Sequence, residues 1–224
     1  LVTPLTVDSR IWPRTAAIAE RYWSQKSVTD VDNMFKRLNV VSFQLEELGL
    51  THLRNKNVIL RNITQNQNTN SLGVLSEISE PLKIYSRNSG GTEYQTYSPF
   101  ALFADACTAD AADAFYFANV VDRHLKNPTE NTQKKLKYFF QKWMKGYGQF
   151  QKLKPNPKLE KLTPLYSNLN AVSELFYKAL KENSRLNDSN TTSAINELRK
   201  PVEDVEVVLI NSLTKLKNSL VKKY

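Results

Sequence analysis

From residue 108 onward, apolar side chains recur every three or four positions in stretch after stretch, and that spacing constrains the chain to helix. Behind a cap at Thr108, residues 109–125 put Ala111, Ala114, Phe115, Ala118, Val121 and Leu125 on one face. Behind Thr129, residues 130–153 do the same with Leu136, Phe139, Phe140, Trp143, Met144, Tyr147 and Phe150. The pattern continues over 159–183 through Leu162, Leu165, Tyr166, Leu169, Val172, Phe176 and Leu180. It returns over 193–223 through Ile195, Leu198, Val202, Val205, Leu209, Leu216 and Leu220. Pro201 lies inside that last run, so the helix there either restarts or kinks. Long helices with narrow stripes and short connectors predict an antiparallel bundle. An earlier helix opens at Thr29 or Asp30 and carries Val31, Met34, Phe35, Leu38, Val41, Leu45 and Leu48 on one face. Gly49 supplies the left-handed residue that ends it. The expected class is all-α.

Composition agrees. The 224 residues are 41% hydrophobic, with only six glycines and few alternating β-branched runs. No apolar stretch approaches the ~20 residues that span a bilayer. Cys107 is the single cysteine, which rules out an internal disulfide and reads best as a small buried hydrophobe. The net charge of +9 is carried by residues 126–224, where 19 Lys/Arg face 9 Asp/Glu. Those lysines alternate with apolar residues at helical spacing, so they form a solvated helix face and not a nucleic-acid footprint.

The densest cluster of unusual residues lies near the start, in Arg10-Ile11-Trp12-Pro13-Arg14 followed by Thr15-Ala16-Ala17-Ile18-Ala19-Glu20-Arg21-Tyr22-Trp23-Ser24. This run resembles the last barrel helix of family 20 glycoside hydrolases, the β-N-acetylhexosaminidases, where an R-[IL]-W-P-R-x-x-A-x-A-E-R-x-W-S pattern follows the strand-8 loop. The resemblance is specific over about the first 60 residues. A looser likeness to the helical C-terminal extension of bacterial members covers Glu80-Pro81-Leu82-Lys83-Ile84-Tyr85 and Pro99-Phe100 through Ala106. It implies two parts: residues 1–64 from the end of a (β/α)₈ barrel, and residues 72–224 a C-terminal helical domain, joined across the polar run Gln65–Ser71.

For catalysis the resemblance is mostly subtractive. The family's polarising Asp and general-acid Glu are expected well upstream of Leu1, and the sugar-gripping Trp-x-Glu after strand 8 immediately before it. The parent would remove terminal N-acetylhexosamine using the substrate's own acetamido oxygen as nucleophile, a named exception to the two-carboxylate scheme. This segment is therefore expected to be non-catalytic, to need no cofactor and to bind no metal. Its partners would be the missing N-terminal barrel of the same chain, N-acetylhexosamine glycans through that parent, and a second copy as a dimer. A bacterial parent would be exported; the compartment is otherwise open. Val2 and Thr3 would lie on the substrate rim. Arg10, Trp12, Arg14, Glu20, Arg21 and Trp23 would be structural, holding the barrel helix to its neighbours through charge-assisted hydrogen bonds.

The remaining candidates are aromatic or titratable. Most rings in Phe115-Tyr116-Phe117 and Tyr138-Phe139-Phe140 belong to core stripes, but Tyr116 and Tyr138 fall off them and could stack sugar rings. They make a carbohydrate- or partner-binding accessory module the alternative function. Asp110 and Asp113 are first-turn acids complementing a helix dipole. His52 and His124 are expected at surfaces or helix ends, outside any Ser–His or Cys–His pair.

Overall fold

A computed structural model describes residues 8, 9, 11–83 and 103–221. Helix accounts for 71% of it, with two three-residue strands in one small sheet. The elements are α1 (Arg14–Trp23), α2 (Val31–Glu47), α3 (His52–Thr64), α4 (Asn70–Ser76), β1 (Ser79–Pro81), α5 (Phe103–Ala106) and α6 (Ala112–Lys126). There follow α7 (Glu130–Phe150), α8 (Pro157–Glu160), α9 (Thr163–Glu182), α10 (Asp188–Leu198), β2 (Val205–Val207) and α11 (Ile210–Val221). They form two compact units divided inside α3, between Ile59 and Leu60.

The first unit holds α1, α2 and the start of α3. Asp30 caps α2, its side chain accepting from the Asn33 amide at 2.9 Å. At the other end Gly49 takes φ +96°, and the Gly49 and Leu50 amides donate back to Glu46 and Leu45 at 2.8 and 3.1 Å. That is a Schellman closure, with Leu50 and Leu45 at the positions that make its apolar contact. After Leu50, a stretch that the helical stripes left unassigned, the chain forms α3. Its pattern of Leu53, Val58, Ile59, Leu60 and Ile63 with no proline or glycine sustains a helix.

The second unit has a dense core. Trp143, Phe117, Phe140, Phe176 and Tyr166 are fully buried. Phe117 meets Phe139, Phe140 and Trp143 edge-on at centroid distances of 5.6, 5.6 and 5.1 Å, and Phe140 stacks on Phe176 at 5.4 Å. Gln133 of α7 donates to the Leu180 carbonyl of α9, and Tyr147 contacts Tyr166, so α7 and α9 run antiparallel. Asp113 pairs with Lys142 and His124 with Thr132, which makes α6 and α7 antiparallel too.

Several expectations are corrected. α6 starts at Ala112 with no side-chain cap, because Thr108 turns back to the Asp110 carbonyl. Its buried face is Ala114, Phe117, Val120, Val121 and His124; Phe115 and Ala118 are only half-buried. The buried stripe is thus rotated from the expected one onto Phe117, which packs against the rings of α7. The 159–183 helix is two, α8 and α9, because Pro164 is accommodated only in a helix's first turn. The polar run before Leu72 does not exclude helix, since Asn70 and Ser71 begin α4.

The largest correction concerns residues 193–223. Pro201 is followed by a strand, β2, paired antiparallel with β1 in the register Ser79↔Val207, Glu80↔Glu206 and Pro81↔Val205. Val205 and Val207 are buried while Glu206 is half-buried, a period of two that the helical reading absorbed as a period of three and four. Glu203 and Asp204 both take left-handed φ, 50° and 63°, closing a tight turn between Val202 and Val205. The expected turn at Asn88-Ser89-Gly90-Gly91 lies outside the described residues.

Candidate functional site

Of the residues singled out at the start of the chain, Val2, Thr3 and Arg10 lie outside the described residues. The other five place themselves in and around α1. Trp12 is half-buried and precedes Pro13, with a cis peptide between them. Arg14 is exposed on the first turn of α1. Glu20 is half-buried and is held by Arg37 of α2, whose Nε and Nη2 donate to its two carboxylate oxygens in a bidentate fork. Arg37 also donates to Asn33 one turn back on α2. The guanidinium hydrogen bond holds the Glu20 carboxyl below its ordinary range. Arg21 Nη1 donates to the Val28 carbonyl at 3.0 Å, tying the end of α1 to the connector before α2. Together Ala17, Glu20, Arg21, Val28, Met34 and Arg37 surround a cleft of about 340 Å³. Arg37 was missed in the sequence; only its position opposite Glu20 of α1 reveals it.

This arrangement clamps α1 to α2. Both carboxylate oxygens of Glu20 are occupied by a guanidinium that stays charged at any ordinary pH, so the carboxyl is poorly placed to act as acid or base.

The same unit carries large apolar side chains out into solvent: Ile18, Tyr22, Trp23, Val40, Phe43 and Leu48 are all exposed, Trp23 at 92%. No residue of α1 is buried. In the second unit the exposed large hydrophobics among the described residues are Tyr116 and Tyr138.

No family model matches the chain. It is 47% identical to the solved chitobiase of Flavobacterium johnsoniae, with a TM-score of 0.90, over 97% of its own length and 33% of that protein's. The chain belongs to family 20 of the glycoside hydrolases. A second likeness, to the β-hexosaminidase subunit beta of Mus musculus, is 46% identity over 49 residues, 22% of this chain and 9% of that one. The family 20 chain thus spans a third or less of the length of the relatives it matches.

Elsewhere in this family 20 chain, the most chemical-looking pair is one the sequence reading set aside. Ser42 Oγ and His52 Nε2 lie 2.8 Å apart, both buried, so a Ser–His pair does exist. His52 does sit at a helix end, but it is not at the surface. A nucleophilic dyad needs its imidazole oriented from the far nitrogen, and His52 Nδ1 has no partner. Burial lowers the His52 pKa, with the Glu46 and Asp8 carboxylates pulling the other way. The pair is a buried polar tie between α2 and α3. His124, also buried, bonds Thr132 through Nδ1 at 2.9 Å. Cys107 is buried, and no cluster of three or more metal-ligating side chains occurs among the described residues. No helix among them is long and apolar enough to cross a membrane.

Proposed function

We propose that this chain is the C-terminal part of a β-N-acetylhexosaminidase that removes terminal N-acetylhexosamine residues, and that it serves that enzyme as structure and not as catalyst. The observation that carries this reading is the 47% identity to a chitobiase over nearly the whole chain, across only a third of that chitobiase. In this reading the acid, the polarising carboxylate and the sugar-gripping residues come from outside the segment. Residues 1–64 close the catalytic barrel and residues 72–224 form the appended helical domain.

The exposed rings of the first unit support the structural role. Several hundred Å² of contiguous apolar surface is about the most that an ordinary soluble monomer leaves wet. Trp23, Tyr22 and Ile18 of α1, Phe43 of α2 and Leu48 at its C-terminal cap are all exposed and call for a covering surface, which in this reading the barrel provides. Arg37, Glu20 and Arg21 then hold α1 against α2 so that the covered face keeps its shape.

The test is turnover of a chromogenic N-acetylglucosaminide by the purified 224-residue chain. No hydrolysis is expected. Hydrolysis that disappears on mutation within this chain would overturn the proposal.

A further inference from the structure

We propose that the seam between α6 and α7 is a secondary glycan-binding ledge, on which Tyr116 and Tyr138 stack the sugar rings of an N-acetylhexosamine oligosaccharide. Their placement follows from the helix register. Asp113 of α6 and Lys142 of α7 form an ion pair across the seam, and Phe117 packs on Phe139 and Phe140. Tyr116 lies one turn beyond Asp113 and Tyr138 one turn before Lys142. Because the helices are antiparallel, both steps lead the same way along the seam. The two tyrosines therefore flank it at one level, on the face that carries the ion pair.

Both rings are available. Tyr116 is 46% and Tyr138 60% exposed, in a unit that buries its other large apolar side chains well. Each is braced by an inner ring, Phe115 against Tyr116 at 5.7 Å and Phe139 against Tyr138 at 5.9 Å, both edge-on. A braced ring loses little side-chain freedom on binding, which lowers the entropy cost of capture. Tyrosine offers an apolar face to the C–H side of a pyranose and a hydroxyl at its rim for the sugar's polar groups. Lys142 and Asp113, adjacent on the same seam, supply a donor and an acceptor for hydroxyl and acetamido groups.

The choice of oligosaccharide rests on the proposed hexosaminidase reading; the ledge itself rests on the geometry. Titration of the full 224-residue chain with chitotetraose, followed by amide and aromatic NMR shifts, tests it. Shifts confined to the α6–α7 seam are expected, with affinity at least tenfold weaker in a Tyr116→Ala, Tyr138→Ala double variant. Unchanged circular dichroism is expected for that variant, since both side chains are exposed, and separates lost binding from lost fold. No binding, binding the double variant retains, or equal binding of cellotetraose would each overturn the proposal. Failure here with an inactive isolated chain leaves the hexosaminidase reading standing, and hydrolysis by the isolated chain sinks only its non-catalytic role without touching the ledge.

Discussion

Single residues decide more here than their type suggests. Burial disfavours the charged form of His52 in the folded chain and lowers its pKa. A histidine whose folded pKa lies below the ordinary ~6.5 binds its proton more readily when unfolded. The stability it contributes is therefore complete above about pH 6.5 and declines as the pH falls toward the lowered folded value. Hydrogen exchange of α2 and α3 amides should show protection that weakens between pH 7 and pH 5, and a His52→Gln variant should lose that dependence. Gly146 is a second such position. A Cβ there would run into the Tyr166 hydroxyl, which donates to the Ser71 carbonyl at 2.9 Å in the core. Gly146→Ala is expected to cost about 2–4 kcal/mol by overpacking. In a Tyr166→Phe background the same change should cost less, because the colliding atom is gone, so thermal melts of the two singles and the double should be non-additive. Nothing local distinguishes Gly146 from any other helical glycine; only its neighbour gives it meaning.

Among the elements, short α8 is fixed by a single hydrogen-bonding side chain. Asn156 accepts from the Lys158 and Leu159 amides at 3.0 and 3.2 Å, starting α8, and donates to the Ile63 carbonyl at 3.1 Å, near the end of α3. It is buried, so its removal strands donors and an acceptor that water cannot reach. Asn156→Ala should destabilise the second unit by about 2–3 kcal/mol in urea titration, against about 1 for Thr129→Ala, which opens the capping box of α7 at an exposed helix start. Near-equal costs would mean that the bond to α3 contributes nothing. The small sheet is subtler. Its two strands lie more than a hundred residues apart, and each is only three residues long. A strand that short carries too few residues to display its period, and Val202 and Val205 fit a helical spacing as well as an extended one. Pro201 signalled an interruption but could not say what followed it.

At the scale of the molecule, the division inside α3 makes a prediction about where the chain can be cut. Leu60 and Ile63 are buried at 1% exposure and belong to the second unit, although α3 begins in the first. A chain beginning at residue 60 should fold cooperatively with a helix-dominated circular dichroism spectrum. Starting at residue 72 removes both side chains together with the Ile63 carbonyl that Asn156 binds, and should cost several kcal/mol at roughly 2–5 kcal/mol per large core side chain lost. Equal denaturation midpoints for the two chains would place the boundary later, near the polar run Gln65–Ser71.

By itself the sequence determined the helical class, the cap at Thr129, the glycine closure at Gly49 and the family, since each rests on local spacing or on a contiguous run of residues, while it left the cap of α2 open between Thr29 and Asp30. It also separated Tyr116 and Tyr138 from the core stripes, because helical phase alone puts them outside. What it left undecided needed contacts between distant segments. Arg37 is an ordinary helical arginine until α1 brings Glu20 to it, and Ser42 and His52 are a pair only because α2 turns back on α3 through the Gly49 closure. The direction of the α6 stripe was set by Phe117 finding three rings of α7, and β2 exists because β1 satisfies its backbone. In each case the deciding partner lies outside the local window, and the free energy that selects the conformation is realised only when the chain has folded.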